Sequence, residues 1–242
     1  MPRPRLAIVA IVFTWIPVGL FLVSLSSIWP QRVLGVLTWA LLIALLRGES
    51  RSVRIQVAAV VAAATCLEYT ASPVLHLYTY RLHNVPMFVP PGHGLVYLAA
   101  LHIAAQAHLR QTAARWLPRA VLVVGGMWAF WGVFLSSRPD TGGAMLYLVL
   151  VGFLLRGRSP LVYSGAFIVT TVLELIGTSL GNWAWAQYDF LHITTLGNPP
   201  SGIAGGYCVL DMIGMFVAMK LAARRASLPE PVPSAAPAPV AV

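Results

Sequence analysis

Four side chains in this sequence are of types that move protons, and all four fall inside long apolar runs: Glu68, His102, Glu174 and Asp211. Ionisable groups within a bilayer are costly and mark functional sites more often than packing. Three carboxyls in a low dielectric cannot all stay ionised without partners, so at least one must hold a proton it can donate. That is what a general acid requires. Glu174 and Asp211 read as the acid and its partner, with Glu68 and His102 as base or proton relay. The same residue types would suit a transition metal, yet no Glu-x-x-His or His-x-x-x-His pair is present. His93 and His102, nine residues apart, fall on opposite faces of a helix with about 3.6 residues per turn. Acid chemistry therefore ranks above metal binding, and no metal is assigned. The structural alternative is that these groups only bond helix to helix.

Local features support each acid. Thr170, Thr171 and Thr178 are three or four residues from Glu174 and share its helix face. Tyr207 precedes Asp211 by one turn, Gln106 follows His102 by one turn, and Pro73 predicts a kink just beyond Glu68. Eight to twelve residues after their respective Glu lie His76-Leu-Tyr-Thr-Tyr80 and Asn182-Trp-Ala-Trp185. Each is followed by a Pro-Pro turn, one leading into His93. Such loops either form an interfacial aromatic belt or cap a cavity whose aromatic faces would stabilise a cation. On the second reading, Tyr80, His93, Asn182, Trp183, Trp185 and Tyr207 bind substrate.

The elements that must position these residues are membrane helices. With 58% hydrophobic and 10% charged residues in 242, the composition is that of a polytopic membrane protein, all-α. Apolar runs predict eight transmembrane helices near 6–29, 33–46, 55–78, 92–109, 119–136, 143–155, 160–182 and 202–222. With both termini cytoplasmic, the inner side gathers Arg47, Arg51, Arg54, Arg110, Arg115 and Arg119 among others. The outer side keeps only Arg32, Arg81 and Arg138. The expected location is the plasma (inner) membrane, multi-pass. Insertion topology and anionic headgroups account for the net charge of +9, so no nucleic-acid partner is expected. Cys66 and Cys208 read as small buried apolar residues. Residues 227–242, rich in Pro and Ala, read as a disordered cytoplasmic tail.

The chain also repeats itself. Leu46, Arg47, Gly48 and Ser50 return as Leu155, Arg156, Gly157 and Ser159, each 109 residues on; Glu68 returns as Glu174, 106 on; and Pro90-Pro91 returns as Pro199-Pro200. An even number of spans per copy makes this a parallel repeat, with a first four-helix repeat at 1–112 and a second at 113–226. An offset of 109 sets His102 opposite Asp211 and predicts that the four ionisable groups converge.

The pattern Glu174-Leu-Ile-Gly-Thr178, then Gly181-Asn-Trp-Ala-Trp185, then a Pro-containing turn, resembles the integral-membrane carotenoid-biosynthesis proteins that include carotenoid hydratases. Glu68 to Tyr80 followed by Val85-Pro86 looks like a looser second version. Paired intramembrane acids also make the chain similar to the membrane-bound terpene cyclases, in which a Glu and an Asp protonate an isoprenoid. That maps onto Glu68 or Glu174 with Asp211. The resemblance implies an intramembrane enzyme whose partner is a membrane lipid or isoprenoid substrate, cyclised or hydrated without redox chemistry; no cofactor is identified. The alternatives are a proton-coupled transporter or lipid flippase, and a structural membrane subunit with no catalysis.

Overall fold

A computed structural model describes residues 5–226; the tail expected at 227–242 lies outside the described residues. The elements in chain order are α1 (Arg5–Ser24), α2 (Ile28–Leu46), α3 (Arg51–Ala71), β1 (Tyr78–Tyr80), α4 (Val89–His108), α5 (Gln111–Phe134), α6 (Thr141–Arg156), α7 (Pro160–Ser179), β2 (Trp183–Trp185) and α8 (Ala204–Ala226). Six of the helices, α1, α2, α3, α5, α7 and α8, are long and apolar enough to cross a membrane. Large apolar side chains stand outward, such as Val123, Met127, Phe130 and Phe134 along α5. A surface of this kind needs lipid as its solvent, and the chain has the architecture of an integral multi-pass membrane protein.

Two helices fall outside that group for different reasons. α6 has only 16 residues. α4 has 20, but carries Pro90, Pro91, His93, His102 and Gln106. It is the helix most enclosed by protein, with Leu95 through Ala100 all buried, so packing by neighbouring helices does for it what lipid does for the others. α4 lies against α7 and α3 against α8, while α3–α4 and α7–α8 complete the ring of four. Small residues permit the closest approaches, as in membrane bundles generally. A Cβ added to Gly165 of α7 would stand 2.8 Å from the backbone oxygen of Ala100 in α4.

Several boundaries differ from those expected: α1 ends at Ser24 instead of 29, α5 starts at Gln111 instead of 119, and at two others a proline is the cause. α2 starts at Ile28 instead of 33, because Pro30 falls in the first turn, where its missing N–H leaves no bond unmade. The third helix stops at Ala71, short of 78: Pro73 ends it and does not kink it. The chain then turns through His76, at φ 51°, into β1. α7 ends similarly. Gly181, at φ 68°, takes the left-handed position, and the amide of Asn182 reaches back 2.9 Å to the carbonyl of Gly177. β1 and β2 then pair antiparallel, Tyr78 with Trp185, Thr79 with Ala184 and Tyr80 with Trp183.

Candidate functional site

Glu174 lies on the buried face of α7, 5% exposed. The indole N–H groups of Trp183 and Trp185 donate to its Oε2 at 2.9 and 3.2 Å. The period-two side-chain alternation of β2 sends both rings to the same face. Gly177, one turn beyond Glu174, is what lets the Trp183 ring lie across α7, since a Cβ there would collide with the ring. Of the threonines expected beside the acid, Thr178 donates instead to the backbone carbonyl of Glu174 at 2.7 Å. The buried Thr170 hydroxyl has no partner among the described residues.

Glu68 is held in the same manner by the other strand. The phenols of Tyr78 and Tyr80 donate to its Oε2 at 2.8 and 2.7 Å. Burial pushes both phenols well above the usual tyrosine range, and the neighbouring Glu68 charge pushes further, so both remain neutral donors. The remaining oxygen of Glu68 faces His93, with Nε2 to Oε1 at 3.5 Å. His93 Nδ1 stands 3.1 Å from the carbonyl of Val89. A carbonyl can only accept, so the hydrogen-bond network assigns a proton to Nδ1 and turns Nε2 toward Glu68. One further proton shared across Nε2 and Oε1 would make either a neutral pair or an ion pair. The Tyr207 ring stacks on His93, with centroids 5.1 Å apart and planes at 11°.

Both carboxyls open onto one cavity of about 270 Å³ between the helices. Its polar wall is Glu68, His93, Glu174 and Tyr207 with the four aromatic residues of the ribbon; leucines such as Leu34, Leu95, Leu173 and Leu210 make much of the rest. The cavity therefore takes an apolar body and presents ionisable groups to one part of it. The residues expected to bind substrate mostly meet here: Tyr80, His93, Trp183, Trp185 and Tyr207 line the space. Asn182 does not. Its side-chain amide donates to the carbonyl of Leu20 at 2.9 Å and ties the start of β2 to α1.

The expected convergence of four ionisable groups fails for two of them. His102 pairs with Glu49, Nε2 to Oε1 at 2.9 Å, in the turn between α2 and α3. Asp211 is buried, 2% exposed, with Oδ2 unpartnered among the described residues, and lies outside the cavity lining. The cause is the start of each helix. Pro90-Pro91 fall within the first turn of α4, whereas Pro199-Pro200 precede α8 by several residues. The Pro-Pro landmarks thus do not mark equal depths. His102 lies about 20 Å into α4 and Asp211 about 10 Å into α8, at 1.5 Å per residue. The residue that meets Tyr207 of α8 is His93. Among the described residues, no group of three or more His, Cys, Asp and Glu side chains is placed to hold a metal ion.

Sequence reasoning passed over Tyr78, although Tyr-x-Tyr and Trp-x-Trp both carry the alternation of a strand. It also passed over Asp140, the N-cap of α6. This carboxylate is buried and accepts from the amides of Gly143, Gly197 and Ser201 at 3.0, 2.7 and 2.7 Å, fixing the loop that leads into α8. Arg138 beside it donates to the carbonyls of Trp185, Ala186 and Leu196, each at 2.7 Å, anchoring the end of β2. Desolvation lowers its guanidinium from the usual value, with Asp140 opposing. Arg81, following β1, donates to the carbonyls of Val23 and Ser26 at the end of α1. Comparison of the chain with protein-family models, with curated proteins and with solved structures returns no match.

Proposed function

We propose that the protein is an intramembrane enzyme that carries out acid–base chemistry on a lipid-soluble, isoprenoid substrate, by cyclisation or hydration. The observation that carries this reading is that Glu68 with His93, and Glu174, face one apolar cavity from separately built supports. The supports differ in kind. Glu68 and His93 face each other through two atoms that can each hold a proton. Glu174 is held by indole N–H groups, which stabilise a carboxylate but do not surrender protons at ordinary pH. Two carboxyls in unlike environments are how acid and base roles are divided.

In the proposed reaction the proton shared by Glu68 and His93 adds to a substrate double bond. The π electrons form the new C–H bond and leave a cation on the more substituted carbon. Glu174 and the ring faces of Trp185 and Tyr207 stabilise that charge. Ring closure by a second double bond followed by loss of a proton to Glu174 gives a cyclised isomer; capture by water followed by proton loss gives an alcohol.

The same reading includes eight spans in two parallel halves, with both termini cytoplasmic in the inner membrane. Its support is the pairing about Thr79 and Ala184, which relates Tyr78 to Trp185 and Tyr80 to Trp183 and sets each Glu beneath its own strand. The test is to express wild type, Glu68→Gln and Glu174→Gln at equal membrane abundance and compare lipid extracts by mass spectrometry. A species present only with wild type supports the reading, and identical extracts overturn it.

A further inference from the structure

We propose that the cavity is also a receptor for lipophilic organic cations, a tertiary or quaternary ammonium group on an apolar body, with Glu174 as counter-ion. This goes beyond catalysis, since a stable cation needs neither turnover nor proton transfer to bind.

The charge inventory of the cavity is one-sided. Two carboxyls line it, and neither Arg nor Lys is among the lining residues. The basic side chain there, His93, already faces Glu68, so an anionic headgroup would meet the Glu174 carboxyl without a counter-charge of its own, and desolvating it there is prohibitive. Most of the hydrogen-bond donors are committed as well. The phenols of Tyr78 and Tyr80 and the indoles of Trp183 and Trp185 all donate to the two carboxyls. On another wall Trp15 donates to the Thr38 hydroxyl at 3.2 Å, which itself donates to the carbonyl of Leu34 at 2.7 Å. What remains for a ligand is ring faces, carboxyl oxygen and the Tyr207 hydroxyl, which can accept or donate. Both indole bonds to Glu174 fall on Oε2, and its Oε1 takes no side-chain donor. Aromatic faces around a carboxylate in a water-poor space are what recognise an ammonium that has shed its hydration.

The test uses purified wild-type protein in phosphatidylcholine vesicles, titrated with benzyltrimethylammonium and with neopentylbenzene, its uncharged carbon isostere. Tryptophan fluorescence, which includes Trp183 and Trp185 at the site, reports occupancy. The cation should bind about tenfold tighter or more, as a desolvated cation–π contact implies. Glu174→Gln should abolish that preference while leaving the isostere unchanged. Should that variant fail to fold, Trp185→Leu should weaken the cation several-fold more than the isostere. Equal binding of the two probes, binding of neither, or a preference that survives loss of both Glu174 and the Trp185 ring would overturn the proposal. These outcomes are independent of the lipid-extract comparison, so this proposal and the enzymatic reading fail separately.

Discussion

Tyr80 and Trp183 face each other across the two-stranded ribbon, and each hands its hydrogen to a different buried carboxyl: Tyr80 to Glu68 and Trp183 to Glu174. Their rings meet edge to face, with centroids 6.1 Å apart. The ribbon is therefore a clamp on both acids, and a change at one strand is felt at both.

Removing a single hydroxyl from the clamp tests its energetic role. Tyr80→Phe keeps the ring and leaves the Oε2 of Glu68 with the Tyr78 phenol as its remaining donor. The expected cost is about 1–3 kcal/mol, the range for taking a partner from a buried polar group. Thermal unfolding in detergent measures it, and the double variant with Tyr78→Phe should lose more than either single change.

Gly177→Ala tests the packing that sets Trp183 upon Glu174. The added methyl collides with a rigid ring that has no room to retreat without breaking its bond to Oε2. Overpacking of this kind costs about 1–3 kcal/mol. The near-ultraviolet circular dichroism of tryptophan should change while the helical signal stays.

The ribbon phenols give a pH dependence of definite sign. Tyr78 and Tyr80 are held protonated above the usual value of 10.0, whereas the unfolded chain releases those protons near that value. Their contribution is complete below pH 10 and declines as pH rises beyond it, because only the unfolded state gains by ionising. Spectrophotometric titration should find these two phenols silent until the fold is lost. Tyr78→Phe and Tyr80→Phe should leave the number of tyrosines titrating in the folded protein unchanged.

Asp140→Ala should release the loop before α8. Three backbone amides lose their acceptor at once. The cap alone is worth about 1 kcal/mol and the two buried loop amides add to that. Faster proteolytic cleavage between residues 187 and 201, compared with wild type, is the measurement.

The apolar runs made the helices legible, since lipid and packed protein both demand them, and the two intramembrane Glu residues were legible for the cost of their charge. Depth was not. The offset between Pro-Pro pairs suggested that His102 and Asp211 share a level, but a proline marks the first turn of α4 and a preceding loop before α8. The ribbon was hidden for a related reason: three-residue strands leave little periodic signal, and pairing β1 with β2 depends on how α3 and α7 end. Glu49 drew no attention because it lies in a turn, where a charge costs little, and only the fold brings His102 to it.

In the proposed reaction Glu68 and His93 place a proton on substrate carbon. Wild-type protein is incubated in D2O with vesicles carrying the lipids that Glu68→Gln leaves unconverted, and the product is analysed by mass spectrometry. The expected product is an isomer or hydrate of the substrate bearing one non-exchangeable, carbon-bound deuterium. A product changed by oxidation or reduction, or an isomer or hydrate free of carbon-bound deuterium, would contradict it.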